Sequence, residues 1–229
     1  MSRGLHIQEK HSFNTTAMIL WLILIAVIIL GGWYAYRFYT KGDVPAPFPV
    51  AATQQDVDET PVSPEAKDEH NVPSSYPRFL SIADLGVTNS RVFAMGVADN
   101  GELDTPSNIF DTGWYQESAL PGDGSGALLM DGHNGGPTQD GVFKQLPHLN
   151  EGSEIVIERG DGERFTYRTE SVEIVPVEEL NNGGMNELSQ SIDQSTQGLN
   201  IISCTGNWVP AQQTYDQRVI VRAALVTEN

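Results

Sequence analysis

The feature that most constrains the fold is a series of short β-type segments that begins near residue 78. Phe165 and Tyr167 alternate with polar neighbours at the period of a half-buried strand. The Gly160-Asp161-Gly162 sequence marks a hairpin turn. The runs rich in β-branched and aromatic residues cover residues 79–85, 91–97, 127–131, 154–158, 164–177, 199–204 and 217–226. Many short strands with little helical pattern predict a mostly β domain, a closed or nearly closed barrel of about 150 residues.

An uncharged apolar segment precedes the predicted barrel. Residues 15–36 are rich in Ile, Leu and Val and end in an aromatic cluster, Trp33, Tyr34 and Tyr36. About 20 apolar residues cross a bilayer as a helix, and tryptophan and tyrosine favour its interfaces. A cleavable signal peptide is the alternative, but its apolar core would be only about 7 to 15 residues long. The segment is therefore predicted to be a transmembrane signal anchor behind a short cytoplasmic tail, residues 1–14.

Residues 37–77 are rich in proline and acidic residues and poor in large apolar side chains. Such a segment cannot bury enough surface to offset the entropy of ordering it. We therefore predict a disordered linker, in which His70 is solvated, and a folded domain over residues 78–229. A proline-rich recognition motif is the weaker alternative, because no close PxxP pair lies beside a basic residue.

Charge and composition exclude several kinds of partner. The formal net charge of −17 at pH 7 argues against nucleic acid, since a phosphate-binding face needs clustered lysine and arginine. The single cysteine gives no disulfide framework and no cysteine-based zinc site, and the five histidines do not fall at metal-ligand spacings. No metal site and no cofactor is predicted, although the many acidic residues, which form no calcium-loop motif, leave calcium dependence open.

The single cysteine, Cys204, ends a β-type run. A lone cysteine can be a small buried hydrophobe, half of an intermolecular bridge or a nucleophile. Two further polar residues are predicted at strand ends: His133 follows the apolar run 127–131, and Arg218 lies at the start of the last run. A surface histidine is the ordinary alternative for His133, but the three residues together indicate a candidate catalytic set.

These residues resemble the motifs of the sortase family of cysteine transpeptidases, and the resemblance covers residues 78–226. The family's TLxTC pattern is met by Asn200-Ile201-Ile202-Ser203-Cys204, its strand-end histidine by Gly132-His133-Asn134, and its arginine by Arg218. Asn200 and Ser203 depart from the threonines of the pattern, although Ser203 keeps a hydroxyl. Intervening landmarks such as Gly113-Trp114-Tyr115 look like those of class F, whereas the loop between Cys204 and Arg218 is similar to classes D and E.

The resemblance implies a fold, which is a closed eight-stranded barrel with short helices. It also implies a reaction. A sortase cleaves an LPXTG-like sorting signal between threonine and glycine and holds the acyl fragment as a thioester on its cysteine, here Cys204. It then transfers the fragment to an amine of the cell envelope, such as a cell-wall precursor. His133 is then the proton donor and acceptor, and Arg218 stabilises the oxyanion, because arginine does not readily lose its proton.

The resemblance also implies a location and further contacts. Asn134 and Ser203 are expected to contact the substrate, residues 177–198 to form a loop of the substrate groove, and Arg222 to lie at the surface. The protein is expected in the cell membrane with its catalytic domain on the extracellular face. Two alternatives stay open: a non-catalytic membrane-tethered barrel that binds cell-wall polymer, and a sortase that polymerises pilins.

Overall fold

The computed structural model describes residues 15–41, 57–98, 101–181, 184–209 and 212–227. The chain divides into two compact units, one N-terminal and the other beginning at Val50. The N-terminal unit contains helix α1, Thr15–Lys41. Residues 16–37 of this helix are long and apolar enough to cross a membrane, by length and composition. The predicted helix is therefore present, and its boundaries agree with the sequence prediction to within a few residues.

The second unit is a closed barrel of eight strands. Around the barrel the strands follow the order β1–β2–β3–β4–β7–β8–β6–β5, and β5 returns to pair with β1. The pairs β2 with β3 and β4 with β7 are parallel, and the others are antiparallel. The strands are β1 Pro77–Ile82, β2 Val87–Met95, β3 Thr112–Tyr115, β4 Ala127–Gly132, β5 Glu154–Arg159, β6 Arg164–Pro176, β7 Gly198–Val209 and β8 Thr214–Leu225. This architecture confirms the predicted closed barrel.

Strand β4 and the adjoining parts of β7 and β8, residues 198–203 and 219–221, bury both of their faces. Leu128, Leu199 and Val219 belong to the core inside the barrel. Residues that alternate to the other face of the same strands, Leu129, Ile202 and Ile220, belong to a second apolar cluster outside the barrel wall. Burial on both faces explains why these segments are nearly continuous apolar runs instead of strict alternations.

The outer cluster is covered by the connection between β6 and β7. This connection contains helix α3, Val177–Asn181, and a 3₁₀ turn, Gly184–Ser189. It contributes Leu180 and Leu188, which are buried against the wall. Asn200 of β7 fixes the connection, because its side-chain amide donates to the carbonyl oxygens of Leu188 (2.7 Å) and Gln190 (3.0 Å). The asparagine that departs from the expected motif therefore anchors this cover.

The predicted linker requires a correction. Residues 57–77 pack on the barrel and include a short helix, α2, Pro64–Asp68. The carboxylate of Glu59 accepts hydrogen bonds from the backbone N–H of Thr138 (2.8 Å) and of Gln139 (3.0 Å). The prediction considered only apolar burial, whereas polar contacts of this kind fix the segment. Residues 37–41 of the predicted linker belong to α1 instead, and residues 42–56 lie outside the described residues.

His70 is a second correction, because it is half-buried instead of solvated. Its ring lies 5.8 Å from that of Phe79 and 4.8 Å from that of Phe93, between centroids. Its Nε2 lies 3.0 Å from the carbonyl oxygen of Val92. Burial lowers the pKa of His70, and nearby Arg91 acts in the same direction. The neutral ring thus attaches the N-terminal segment to the barrel wall.

Candidate active site

Strand pairing brings the three predicted catalytic residues to one end of the barrel. Gly132 of β4 pairs with Ser203 of β7 in the parallel register, and His133 and Cys204 each follow this pair by one residue. Across the other edge of β7, Cys204 is paired directly with Arg218 of β8. The cysteine therefore lies on the middle strand of three, with the histidine and the arginine on the strands at either side.

The same three residues also share the outer face of the wall. Side chains alternate between the faces of a strand, and Leu129, Ile202 and Ile220 belong to the outer cluster. Cys204 lies two residues after Ile202, and Arg218 lies two residues before Ile220. Alternation therefore places both side chains on the outer face. The histidine continues the outer row that begins at Leu129. The candidate site is thus a surface of the wall beside the apolar cluster, and the barrel interior is filled by core side chains.

His133 is held by the connection between β2 and β3. The residue is 8% exposed, and its Nε2 lies 2.7 Å from the carbonyl oxygen of Pro106. A carbonyl only accepts hydrogen bonds, so Nε2 carries the proton, and Nδ1 is the acceptor in the neutral ring. Burial lowers the pKa of His133, partly offset by the bond to Pro106. At neutral pH the ring is therefore uncharged, with Nδ1 as its hydrogen-bond acceptor.

Cys204 is partly exposed at the end of the outer face. Burial raises the pKa of its thiol, the positive charge of Arg218 lowers it, and the carboxyl group of Asp131 raises it further. Only the thiolate is a competent nucleophile. In the resting protein the thiolate is the minor form, and the arginine is the neighbour that favours it.

The guanidinium of Arg218 is fixed by the first residues of its own strand, β8. Nη1 donates to the carbonyl oxygens of Tyr215 (2.9 Å) and Gln217 (3.0 Å), and Nη2 donates to the hydroxyl of Thr214 (2.8 Å). These bonds use three of the five N–H groups of the planar fork. The charge is thereby held in one orientation across from Cys204, as electrostatic stabilisation of a developing negative charge requires.

The two residues predicted to contact substrate are both buried. Ser203 alternates to the inner face, away from Cys204, and its hydroxyl donates to the carbonyl oxygen of Gly132 (2.7 Å). Asn134 lies in the turn after His133, and its carbonyl oxygen accepts from the N–H of Gly141 (3.0 Å). These contacts join β4 to β7 and close the turn after the histidine, and substrate binding by either residue stays a prediction.

Asp131 is a residue of this site that the sequence reasoning missed. It lies two positions before His133 on β4 and is buried at 6% exposure. Burial raises the pKa of its carboxyl to about 7, against a hydrogen bond from Thr105 that lowers it. The signal in the sequence was an acidic residue at the end of an otherwise apolar strand, on the same face as the histidine. Among the described residues, no group of three His, Cys, Asp or Glu side chains could hold a metal ion.

Comparisons with known proteins found one family model and several similar solved structures. The family model for the sortase domain matches residues 80–226, and no curated protein matches the chain. A lid mutant of sortase A from Corynebacterium diphtheriae is 21% identical, with 72% of this chain and 77% of that chain covered and a TM-score of 0.49. A sortase from Actinomyces oris is 17% identical, with 68% and 83% covered and a TM-score of 0.47. A pilus-related sortase C of Group B Streptococcus is 16% identical, with 77% and 80% covered and a TM-score of 0.47.

Proposed function

Because the chain belongs to the sortase family of cysteine transpeptidases, we propose that it cleaves an LPXTG-like sorting signal between threonine and glycine at Cys204. The acyl fragment is then transferred to an amine of the cell envelope. The observation that carries the proposal is the pairing of Cys204 with Arg218 on one side and its position beside His133 on the other. A nucleophile, a proton carrier and a fixed positive charge on adjacent strands are the groups that acyl transfer needs.

The first half of the reaction is acylation of the enzyme. The Cys204 sulfur, as thiolate, attacks the carbonyl carbon of the threonine, and the carbonyl oxygen becomes an oxyanion that Arg218 stabilises. The carbon–nitrogen bond then breaks, and His133 in its protonated form donates a proton from Nδ1 to the departing glycine amine. The proton given up by the thiol thus leaves on the amine, and the fragment remains as a thioester.

The second half transfers the fragment to the acceptor. A cell-envelope amine attacks the thioester carbonyl while neutral His133 accepts a proton at Nδ1. The bond to sulfur breaks, and the Cys204 thiolate is released for the next cycle. Since Nε2 donates to Pro106, the same nitrogen serves both halves, which suits a group that gives and takes one proton per cycle.

The β6–β7 connection borders the proposed site. It covers most of the segment 177–198 that the resemblance assigns to the substrate groove, and its Leu180 and Leu188 bury the apolar cluster of Leu129, Ile202 and Ile220. The signal would therefore lie beside this cover, with its scissile carbonyl next to the Cys204 sulfur.

We further propose that α1 anchors the enzyme in the cell membrane with the catalytic domain, residues 78–229, on the extracellular face, behind a cytoplasmic tail, residues 1–14. The support is the apolar segment 16–37 together with a substrate and an acceptor that belong to the cell envelope. The full chain should sediment with liposomes, and a chain that lacks residues 1–41 should stay in the supernatant. Equal sedimentation of the two chains would contradict anchoring by α1.

The reaction is tested with a fluorescent LPXTG-like peptide and the full chain in detergent. With an oligoglycine amine present, the wild type should release the glycine fragment and form a new amide, both identified by mass. Cys204→Ala should do neither, because no other thiol exists in the chain. Thr205→Ala, one residue further along β7, is the matched control and should retain turnover. Undiminished cleavage by Cys204→Ala would refute the proposal.

A further inference from the structure

The proposed reaction assigns no step to Asp131, although this residue lies in the site. The residue is 6% exposed and pairs by register with Ile202 of β7. It shares the outer face with His133 and lies diagonally across from Cys204. Its Oδ2 accepts a hydrogen bond from the hydroxyl of Thr105 (2.5 Å), whereas its Oδ1 has no hydrogen-bond partner among the described residues. A buried carboxyl that is only half satisfied is costly when ionised.

The surroundings of Asp131 are built to hold this carboxyl in place. A Cβ atom at position 113 of β3 would collide with Oδ1 of Asp131. Because residue 113 is a glycine, the oxygen has room there. Thr105 is followed by Pro106, whose carbonyl oxygen accepts the hydrogen bond of His133. Two consecutive residues of one connection therefore fix the carboxyl and the imidazole.

The electrostatic surroundings of the carboxyl favour its neutral form. Asp104, on the same connection as Thr105, disfavours a second negative charge, in addition to the effect of burial. Strands β3 and β7, which pair with β4 at this residue, and the β2–β3 connection bring further titratable or charged groups to the outer face. These are Asp104, Tyr115, His133 and Cys204, together with Arg218, which pairs with Cys204 from β8.

We propose that Asp131 is a positioning residue of the candidate active site, whose buried carboxyl controls how readily the Cys204 thiol ionises. The inference rests on the proposed function only in taking Cys204 as the nucleophile. With its proton in place, the carboxyl adds no charge beside the thiol, and Arg218 favours the thiolate unopposed. When the carboxyl loses its proton to solvent, a like charge opposes the thiolate. As the pH rises through about 7, the thiolate fraction of Cys204 therefore increases less steeply than it would beside a group that does not titrate.

The ionisation of Cys204 can be read directly, because it is the only cysteine in the chain. The rate of alkylation by iodoacetamide reports the thiolate fraction. For the full chain in detergent, the rate of the wild type should rise with pH, flatten around pH 7 and rise again. Asp131→Asn should match the wild type below about pH 6 and react about 10-fold faster above about pH 8, a difference of about one pH unit in the titration of the thiol.

A purely structural role for Asp131 gives a different result. A disturbed fold would change the alkylation rate by the same factor at every pH, and either that result or coincident profiles would overturn the proposal. Glu170→Gln is the matched control, since it removes an exposed carboxylate from β6. Its profile should follow that of the wild type. If Glu170→Gln reproduced the effect of Asp131→Asn, net charge would explain the result and the proposal would fail.

A second variant tests the same carboxyl without removing it. Thr105→Val deletes the hydroxyl that donates to Asp131, which removes a bond that favours the ionised form. The flattened part of the profile should therefore move to higher pH. An unmoved profile would contradict the proposal even if Asp131→Asn failed to fold.

The alkylation experiment is independent of peptide cleavage. If the proposed function is wrong, the wild type will not cleave the peptide although its thiol titrates as described. If the inference about Asp131 is wrong, the wild type will cleave the peptide while the alkylation profiles of wild type and Asp131→Asn coincide.

Discussion

The carboxyl of Asp131 should make the stability of the fold depend on pH between about 4 and 7. Its pKa is raised by burial from 3.8 to about 7, so the unfolded chain ionises it at lower pH than the folded chain does. The stability associated with the neutral form is complete below pH 3.8 and is lost as the pH rises towards 7. At about 1.4 kcal/mol for each pH unit between the two pKa values, the total is about 4 kcal/mol.

We expect about 2.5 kcal/mol of this loss between pH 5 and pH 8, because part of it has already occurred at pH 5. Asp131→Asn removes the titration. Its amide keeps an oxygen for the Thr105 hydroxyl, while the buried N–H₂ group costs about 1 to 3 kcal/mol at every pH. The difference in the free energy of unfolding, variant minus wild type, should therefore be about 2.5 kcal/mol more positive at pH 8 than at pH 5. The variant is thus relatively more stable at the higher pH.

The measurement is urea unfolding of the full chain in detergent, followed by tryptophan fluorescence, since Trp114 is 1% exposed in the barrel core. Glu170→Gln serves as the control and should show the pH dependence of the wild type. A difference between Asp131→Asn and the wild type that is the same at pH 5 and pH 8 would show that the carboxyl titrates normally, and the argument from burial would be wrong.

Three further predictions test the surroundings of the site. Arg218→Lys should lower kcat about 100- to 1,000-fold in the peptide assay, because a point charge does not replace the fixed fork of the guanidinium. Arg222→Lys should change kcat little, and the reverse order of effects would show that the wrong arginine was chosen. Gly113→Ala should destabilise the fold by roughly 1 to 3 kcal/mol in urea, because its methyl group would displace the Asp131 carboxyl, and unchanged stability would contradict this packing. Glu59→Gln should speed hydrogen exchange at Thr138, since it weakens charged hydrogen bonds to the N–H and hydroxyl of that residue; an unchanged exchange rate would show that the bonds do not hold the loop.

The barrel could be predicted because its signals are local. Turn residues and strand periodicity are visible within windows of about ten residues, and the runs 199–204 and 217–226 correspond to strands β7 and β8. Cys204 and Arg218 were expected at strand ends, but β7 continues past Cys204 to Val209 and β8 begins before Arg218, at Thr214. Strand β3 was not among the predicted runs. It has four residues, one of which is Gly113, and its position depends on pairing with β2 and β4.

The packing of residues 57–77 could not be predicted from composition. The contacts that fix it are polar and join distant parts of the sequence, such as those between Glu59 and Thr138 or between Lys67 and Thr88. An argument from apolar content measures only one of the terms that order a segment. The half-buried His70 shows the same limit, because its partners Phe79 and Phe93 come from strands that pair in space.

The role inferred for Asp131 depends on which face of β4 the residue occupies and on how deeply that face is buried. Alternation along β4 puts Asp131 and His133 on one face. The sequence does not show whether that face is buried or exposed. What decides this is the β2–β3 connection, whose Thr105 and Pro106 bond to the two side chains. Since this connection also leaves Nδ1 as the acceptor nitrogen of neutral His133, one segment affects both the ionisation of the carboxyl and the nitrogen at which the proposed proton transfer would occur. A change in Thr105 should therefore alter the pH dependence of Cys204 without touching any of the three residues proposed to catalyse the reaction.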